Sequence, residues 1–197
     1  MLVVPRGRSQ GRFVTVGRLI IVLAIRRRAR FGPLVVAIFR GAGVWRSDDN
    51  GENWALALLA NGKFDEMLAN DPEMAAYVGD GPVPDAPFKG QIDALWSLCL
   101  VGGTLFAGAK PAALFARHDR GDTWARVQGL SDHPSGDSWQ PGGAGLTLHP
   151  IVADRADPAK MWVGISAAGV FATEDAGKTW DEIAWHLPTV LCVEVMD

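Results

Sequence analysis

In this 197-residue chain, one stretch is the best candidate for a site. Between Ser131 and His149 lie Asp132, His133, Trp139, Gln140 and His149, set among glycines and polar residues. Imidazoles move protons or ligate metals, an indole stacks on a sugar or another flat ligand, and a side-chain amide bonds hydroxyls. His133, Trp139, Gln140 and His149 are therefore the ligand-binding candidates. A zinc site from the two histidines and an aspartate has no recognised ligand spacing, so neither a metal nor a cofactor is expected. The competing structural reading has Trp139 covering a core and His149 capping a strand. The sequence carries no phosphate loop, no Gly-x-Ser-x-Gly and no Cys/His signature. Cys99 and Cys192 read as two buried thiols without a disulfide framework.

A second pattern must position these residues, and it is a repeat. Asp-x-Gly-x-x-Trp occurs as Asp49-x-Gly51-x-x-Trp54, Asp119-x-Gly121-x-x-Trp124 and Asp175-x-Gly177-x-x-Trp180. An aspartate two residues before a glycine is turn chemistry. The carboxylate accepts nearby backbone N–H groups, and the glycine takes a positive φ without steric cost. The tryptophan then begins the returning strand, its ring over the turn and its N–H seeking a partner. Upstream, Val44-Trp45, Leu114-Phe115 and Val170-Phe171 share one offset, and Leu105–Gly108 aligns with Met161–Gly164. Each unit thus reads as strand, tight link, strand, Asp turn, strand, which is a β-meander. A repeat of this kind dictates the architecture.

These residues resemble the Asp-box, or BNR, repeat of sialidase-like and sortilin-like β-propellers. The stretch from Gln91 to Ile183 is more closely similar to bacterial repeat proteins of the exo-α-sialidase-like or glycosyl-hydrolase-like kind. It carries Phe106-Ala107-Gly108, Ala112–Phe115, Trp139–Leu146, His149-Pro150-Ile151 and Ile165–Phe171. The resemblance implies an all-β fold of Asp-box blades. It also implies that the box aspartates are scaffold on a rim away from any catalytic face. A sialidase would further need an arginine cluster to clamp a carboxylate, a Tyr–Glu nucleophile pair and an aspartate acid/base. After residue 47 the chain has four arginines, two of them inside a box, and its one tyrosine is Tyr77. No catalytic residue maps.

Composition agrees with a repeat of strands: 48% apolar residues, 23 Gly, 12 Pro and eight Trp. A blade takes roughly 40–50 residues and a closed ring at least four. The expectation is an incomplete propeller of about three to four blades, whose open strand edges invite self-association. Charge divides the chain. Residues 1–47 hold ten Arg and no Asp or Glu, and the remainder sums to −13. Residues 1–33 are read as a basic, irregular segment and 34–197 as the partial propeller. Three meanings stay open for the basic segment: a degenerate first blade, a basic arm for nucleic acid or anionic membrane, or a targeting sequence. No specific nucleic-acid motif, transmembrane segment or clear signal peptide is present, so a cytoplasmic protein is expected. Within 61–90, Phe64, Met67 and Leu68 predict a short helical insertion over Lys63–Ala69, with Pro72 opening a second. The function expected is a ligand- or protein-binding scaffold, with carbohydrate or protein as the ligand. The alternative is an exo-α-sialidase-like hydrolase of glycosides, and whether the chain is an enzyme stays open, leaning against.

Overall fold

The computed structural model describes residues 27–29, 32–39, 43–47, 55–60, 69–70, 72, 88–117, 123–143, 145–185, 187, 190 and 192–194. The first two boxes lie outside these residues except for Ser47, Arg117, Thr123 and Trp124, as do Tyr77, His118 and His186.

Three four-stranded antiparallel sheets follow one another along the chain. The first holds β1 (Arg27–Ala29), β2 (Gly32–Phe39), β3 (Gly43–Ser47) and β4 (Ala55–Ala60). The second holds β5 (Ala94–Val101), β6 (Thr104–Lys110), β7 (Ala113–Arg117) and β8 (Ala125–Arg126). The third holds β9 (Leu148–Ala153), β10 (Met161–Ile165), β11 (Gly169–Thr173) and β12 (Asp181–Trp185). Each is an up-and-down meander of consecutive strands, the blade of a β-propeller, and three blades are fewer than a closed ring takes. The fold is all-β, an incomplete propeller among the described residues. The first blade draws β1 and the start of β2 from before residue 34. Of the inserted segment, Ala69, Asn70 and Pro72 are described as helical.

Period-two alternation explains why β6 is apolar from Leu105 to Ala109 and β7 from Ala113 to Ala116. Successive side chains of a strand face opposite sides. Leu105, Ala107, Ala109, Ala113 and Phe115 join Val44, Leu95 and Trp124 in a core between the first and second blades. Phe106, Leu114 and Ala116 face the other way and join Leu148, Met161, Val163, Phe171 and Trp180 in a core between the second and third. A blade buried on both faces needs apolar residues at every position. The second and third blades touch where β5 and β6 pack on β9. That approach requires Gly108, because a Cβ there would overlap Ser97 Oγ and the Leu148 carbonyl.

The third Asp box is described in full, and it is a closed turn. Thr173 Oγ1 donates to Asp175 Oδ1 at 2.8 Å and accepts the N–H of Gly177 at 3.0 Å. Asp175 in turn accepts the Thr179 N–H at 2.9 Å and the Thr179 hydroxyl at 2.6 Å. Trp180 donates its indole N–H to the Gly177 carbonyl at 3.1 Å. Gly177 has φ +90°, in keeping with the sequence expectation. Ala176 also lies left-handed at +61°, which alanine in sequence does not signal. A second turn, in which Asp154 Oδ1 accepts the N–H groups of Ala156 and Asp157, supports the box. Its Ala159 carbonyl accepts the N–H of Ala176 at 2.9 Å.

The segment after the second box is folded back by α1 (Gln128–Ser131) and a 3-10 turn at Gly136–Ser138, with Leu130 buried as its anchor. One local expectation is corrected: the thiols are not both buried, since Cys99 is half-buried and Cys192 exposed.

Candidate functional site

The loop that the sequence singles out is tied down by one hydroxyl. Trp139 Nε1 donates to Ser135 Oγ at 2.9 Å, and Ser135 Oγ lies 2.8 Å from His133 Nδ1. The Ser135 backbone N–H also points at that Nδ1, at 3.2 Å. Two donors converging on Nδ1 make it the acceptor and leave the ring proton on Nε2. The rings then pack as a trio on the third blade. His133 meets Phe171 edge-on at 5.1 Å, and Trp139 lies tilted on the same ring at 5.1 Å. His133 and Trp139 stack at 26°. Phe171 is fully buried in β11, so the loop is stapled to the core between the second and third blades.

His149 has other company. It sits within β9, buried, with Nε2 2.6 Å from Ser166 Oγ, and meets Trp96 of β5 edge-on at 5.3 Å. Burial pushes its pKa down from the ordinary histidine value. The rings and hydroxyl around His149 are not those around His133, so the two imidazoles serve different neighbourhoods. Among the described residues, no three His, Cys, Asp or Glu side chains gather as a metal-binding group.

Trp139 and Gln140 instead share a cleft with the third blade. Its volume is about 290 Å³, near the lower end of small-molecule sites, which run from roughly 300 to 1,000 Å³. One wall is the end of the 3-10 turn and the residues after it: Ser138, Trp139 and Gln140. The β10–β11 link contributes Ala167 and Ala168, whose side chains are small, and Ala167 holds a left-handed φ of +54°. The far wall is β12, through Glu182 and Trp185. Trp185 remains 62% exposed, and its cross-strand partner is Gly169, which has no side chain to cover the ring. Gln140 is exposed and reaches only the Ser138 carbonyl, at 3.4 Å. Sequence reasoning missed Glu182 and Trp185. Their signal was an apolar Ile183 and Trp185 two apart on the strand after a box, where the outward face of an edge strand should be polar.

Asp175 lies elsewhere and is committed to its turn. Bonds from the Thr179 hydroxyl and N–H, then from Thr173, hold its carboxyl down to about 2. A carboxylate with its lone pairs filled this way stays ionised and makes a poor acid or base at neutral pH.

No family model matches the chain, and no curated protein matches it in sequence. Among solved structures it is similar to the GH74 xyloglucanase from Xanthomonas campestris, with TM-score 0.45 and 19% identity over 81% of this chain. It is similar also to a GH74 enzyme of Niastella koreensis, with TM-score 0.45 and 15% identity over 83% of the chain. A third likeness is to YCF48 bound to a D1 peptide, at TM-score 0.35, with 12% identity over 76% of this chain. The chain spans 22% of each GH74 chain and 50% of the YCF48 chain. Among the described residues, no helix is long and apolar enough to cross a membrane.

Proposed function

We propose that this chain is an Asp-box repeat β-propeller working as a binding scaffold, with its ligand in the cleft between the 138–140 segment and β12. One observation carries this reading: two residues marked out by the sequence, Trp139 and Gln140, line a cleft completed by the exposed ring of Trp185. A half-buried indole held by hydrogen bond and ring packing is already oriented, which lowers the ordering cost of binding. Among the described lining residues the single carboxylate is Glu182, whereas glycoside hydrolysis ordinarily uses a facing pair. Binding without turnover is the better-supported activity.

Screening the purified chain against mixed glycan and peptide libraries tests this. The expected result is saturable binding, lost in Trp185→Ala without a fall in melting temperature. Turnover of reporter glycosides that disappears in Trp139→Ala would replace the scaffold with a hydrolase.

A further inference from the structure

The cleft's chemistry narrows its ligand. This step rests on the reading of the cleft as the ligand site. Its lining offers one open indole face, the hydroxyl of Ser138, the amide of Gln140 and the carboxylate of Glu182. Among the described residues, that lining contains no lysine or arginine. An indole face packs against the C–H groups of a sugar ring, while an amide, a hydroxyl and a carboxylate bond its hydroxyls. A carboxylated sugar would need a guanidinium clamp, and here it would meet Glu182 instead. We infer that the cleft binds one unit of a neutral oligosaccharide and rejects acidic sugars of the sialic-acid kind.

A cationic ligand caged by aromatics fits less well. Such a cage presents several ring faces to the cation, but Trp139 already spends ring surface on His133 and Phe171. The exposed Trp185 is the remaining platform. The small side chains of Ala167 and Ala168 in the lining and the exposed ring of Trp185 suit a flat ring, such as one unit of a longer glycan.

Isothermal titration calorimetry on the full chain decides the matter, with maltohexaose, cellohexaose and mannohexaose as neutral probes, sialyllactose as the acidic one and choline as the cationic one. At least one neutral hexaose is expected to bind saturably, and sialyllactose is not. Trp185→Ala should weaken the neutral ligand about tenfold or more, the factor that loss of one stacking ring gives, at an unchanged melting temperature. Glu182→Arg should admit sialyllactose. Tighter binding of sialyllactose than of the hexaoses by the unaltered chain overturns the inference. Binding of choline or a peptide that Trp185→Ala abolishes, with no glycan bound, overturns it while leaving the cleft a ligand site. If nothing binds in a Trp185-dependent way, both the neutral-sugar inference and the ligand-cleft reading fail.

Discussion

In the second blade β7 is buried at every position from Ala113 to Arg117, whereas its counterpart β11 alternates buried and half-buried residues from Gly169 to Thr173. The two blades share one plan, with equivalent residues 56 apart (Asp119 to Asp175). Their pairing agrees residue by residue: Ala107 opposes Phe115 as Val163 opposes Phe171. What differs is the company. The second blade lies between two others, so both its faces are core. The third presents its far face to the chain's own tail, where buried Val190 sits over Gly164. On the second blade the equivalent glycine, Gly108, receives Leu148 of the next blade. One blade geometry thus serves two purposes, a slab between two blades and a blade covered on its far face by the tail. The third blade also supplies Ala167, Ala168, Glu182 and Trp185 to the cleft.

Phenylalanine at the shared position gives the largest test. Phe115→Ala and Phe171→Ala should each cost about 3–5 kcal/mol, as expected for a fully buried ring, measured by urea unfolding. Only Phe171→Ala should also release His133 and Trp139, seen as faster amide exchange over 133–140. Equal exchange in both variants would break the distinction between the blades.

The paired glycines come next. Gly108→Ala should cost about 1–3 kcal/mol by overpacking, because the Leu148 carbonyl in its way belongs to a strand. Gly164→Ala should cost less, because the nearest atom belongs to the Val190 side chain in the tail, though Pro150 also crowds it. Comparing the two urea midpoints tests this order.

Within the third box, Thr173→Val keeps the shape but deletes the hydroxyl that serves Asp175 and Gly177. It should cost about 1–3 kcal/mol, since it leaves a buried N–H without its acceptor. The second blade has Arg117 at this position, also buried, so the matching Arg117→Met should respond differently. An equal loss would mean that the two turns do not depend on the residue there.

The smallest effects are in pH. The carboxyl of Asp175 titrates at about 2 in the fold against 3.8 free, so the folded state favours its ionised form. Its contribution to stability is whole above about 4 and fades as pH falls toward 2. His149 is shifted down from 6.5 by burial, so the fold favours the neutral ring. That contribution is whole above 6.5 and is lost as pH falls through the lower folded value. Melting temperature against pH should therefore have a shallower acid limb in Asp175→Asn, with Asp154, held down by the N–H groups of Asp157 and Ala156, keeping the rest, and should flatten just below 6.5 in His149→Gln. An unchanged profile in His149→Gln would show that the ring protonates as freely in the fold as outside it.

Much of the scaffold is legible in the sequence. The spacing of Asp175, Gly177 and Trp180 specifies a turn with a positive-φ glycine and an indole lid, and each feature is present, because such turns are made by residues near in sequence. The strands are legible for the same reason, since apolar runs between Gly and Asp punctuation leave little choice of period. The folding of 128–138 into short helical turns is not, because no apolar period marks a four-residue helix. Half of the cleft can be read from the sequence and half cannot. Trp139 and Gln140 stand out as an aromatic and an amide in a glycine-rich loop, but Trp185 and Glu182 look like ordinary strand residues.

Local chemistry is therefore what the sequence by itself determined: three boxes, their strands, and a loop rich in groups able to bind. The tertiary structure decided which of those groups meet. It set His149 against Trp96 and Ser166, locked His133 against Trp139, and brought Trp185 into one cleft with Gln140. Those choices depend on how one blade packs on the next and where the loop is stapled. Such distances are fixed by core packing over the whole chain, and no short window of residues encodes them.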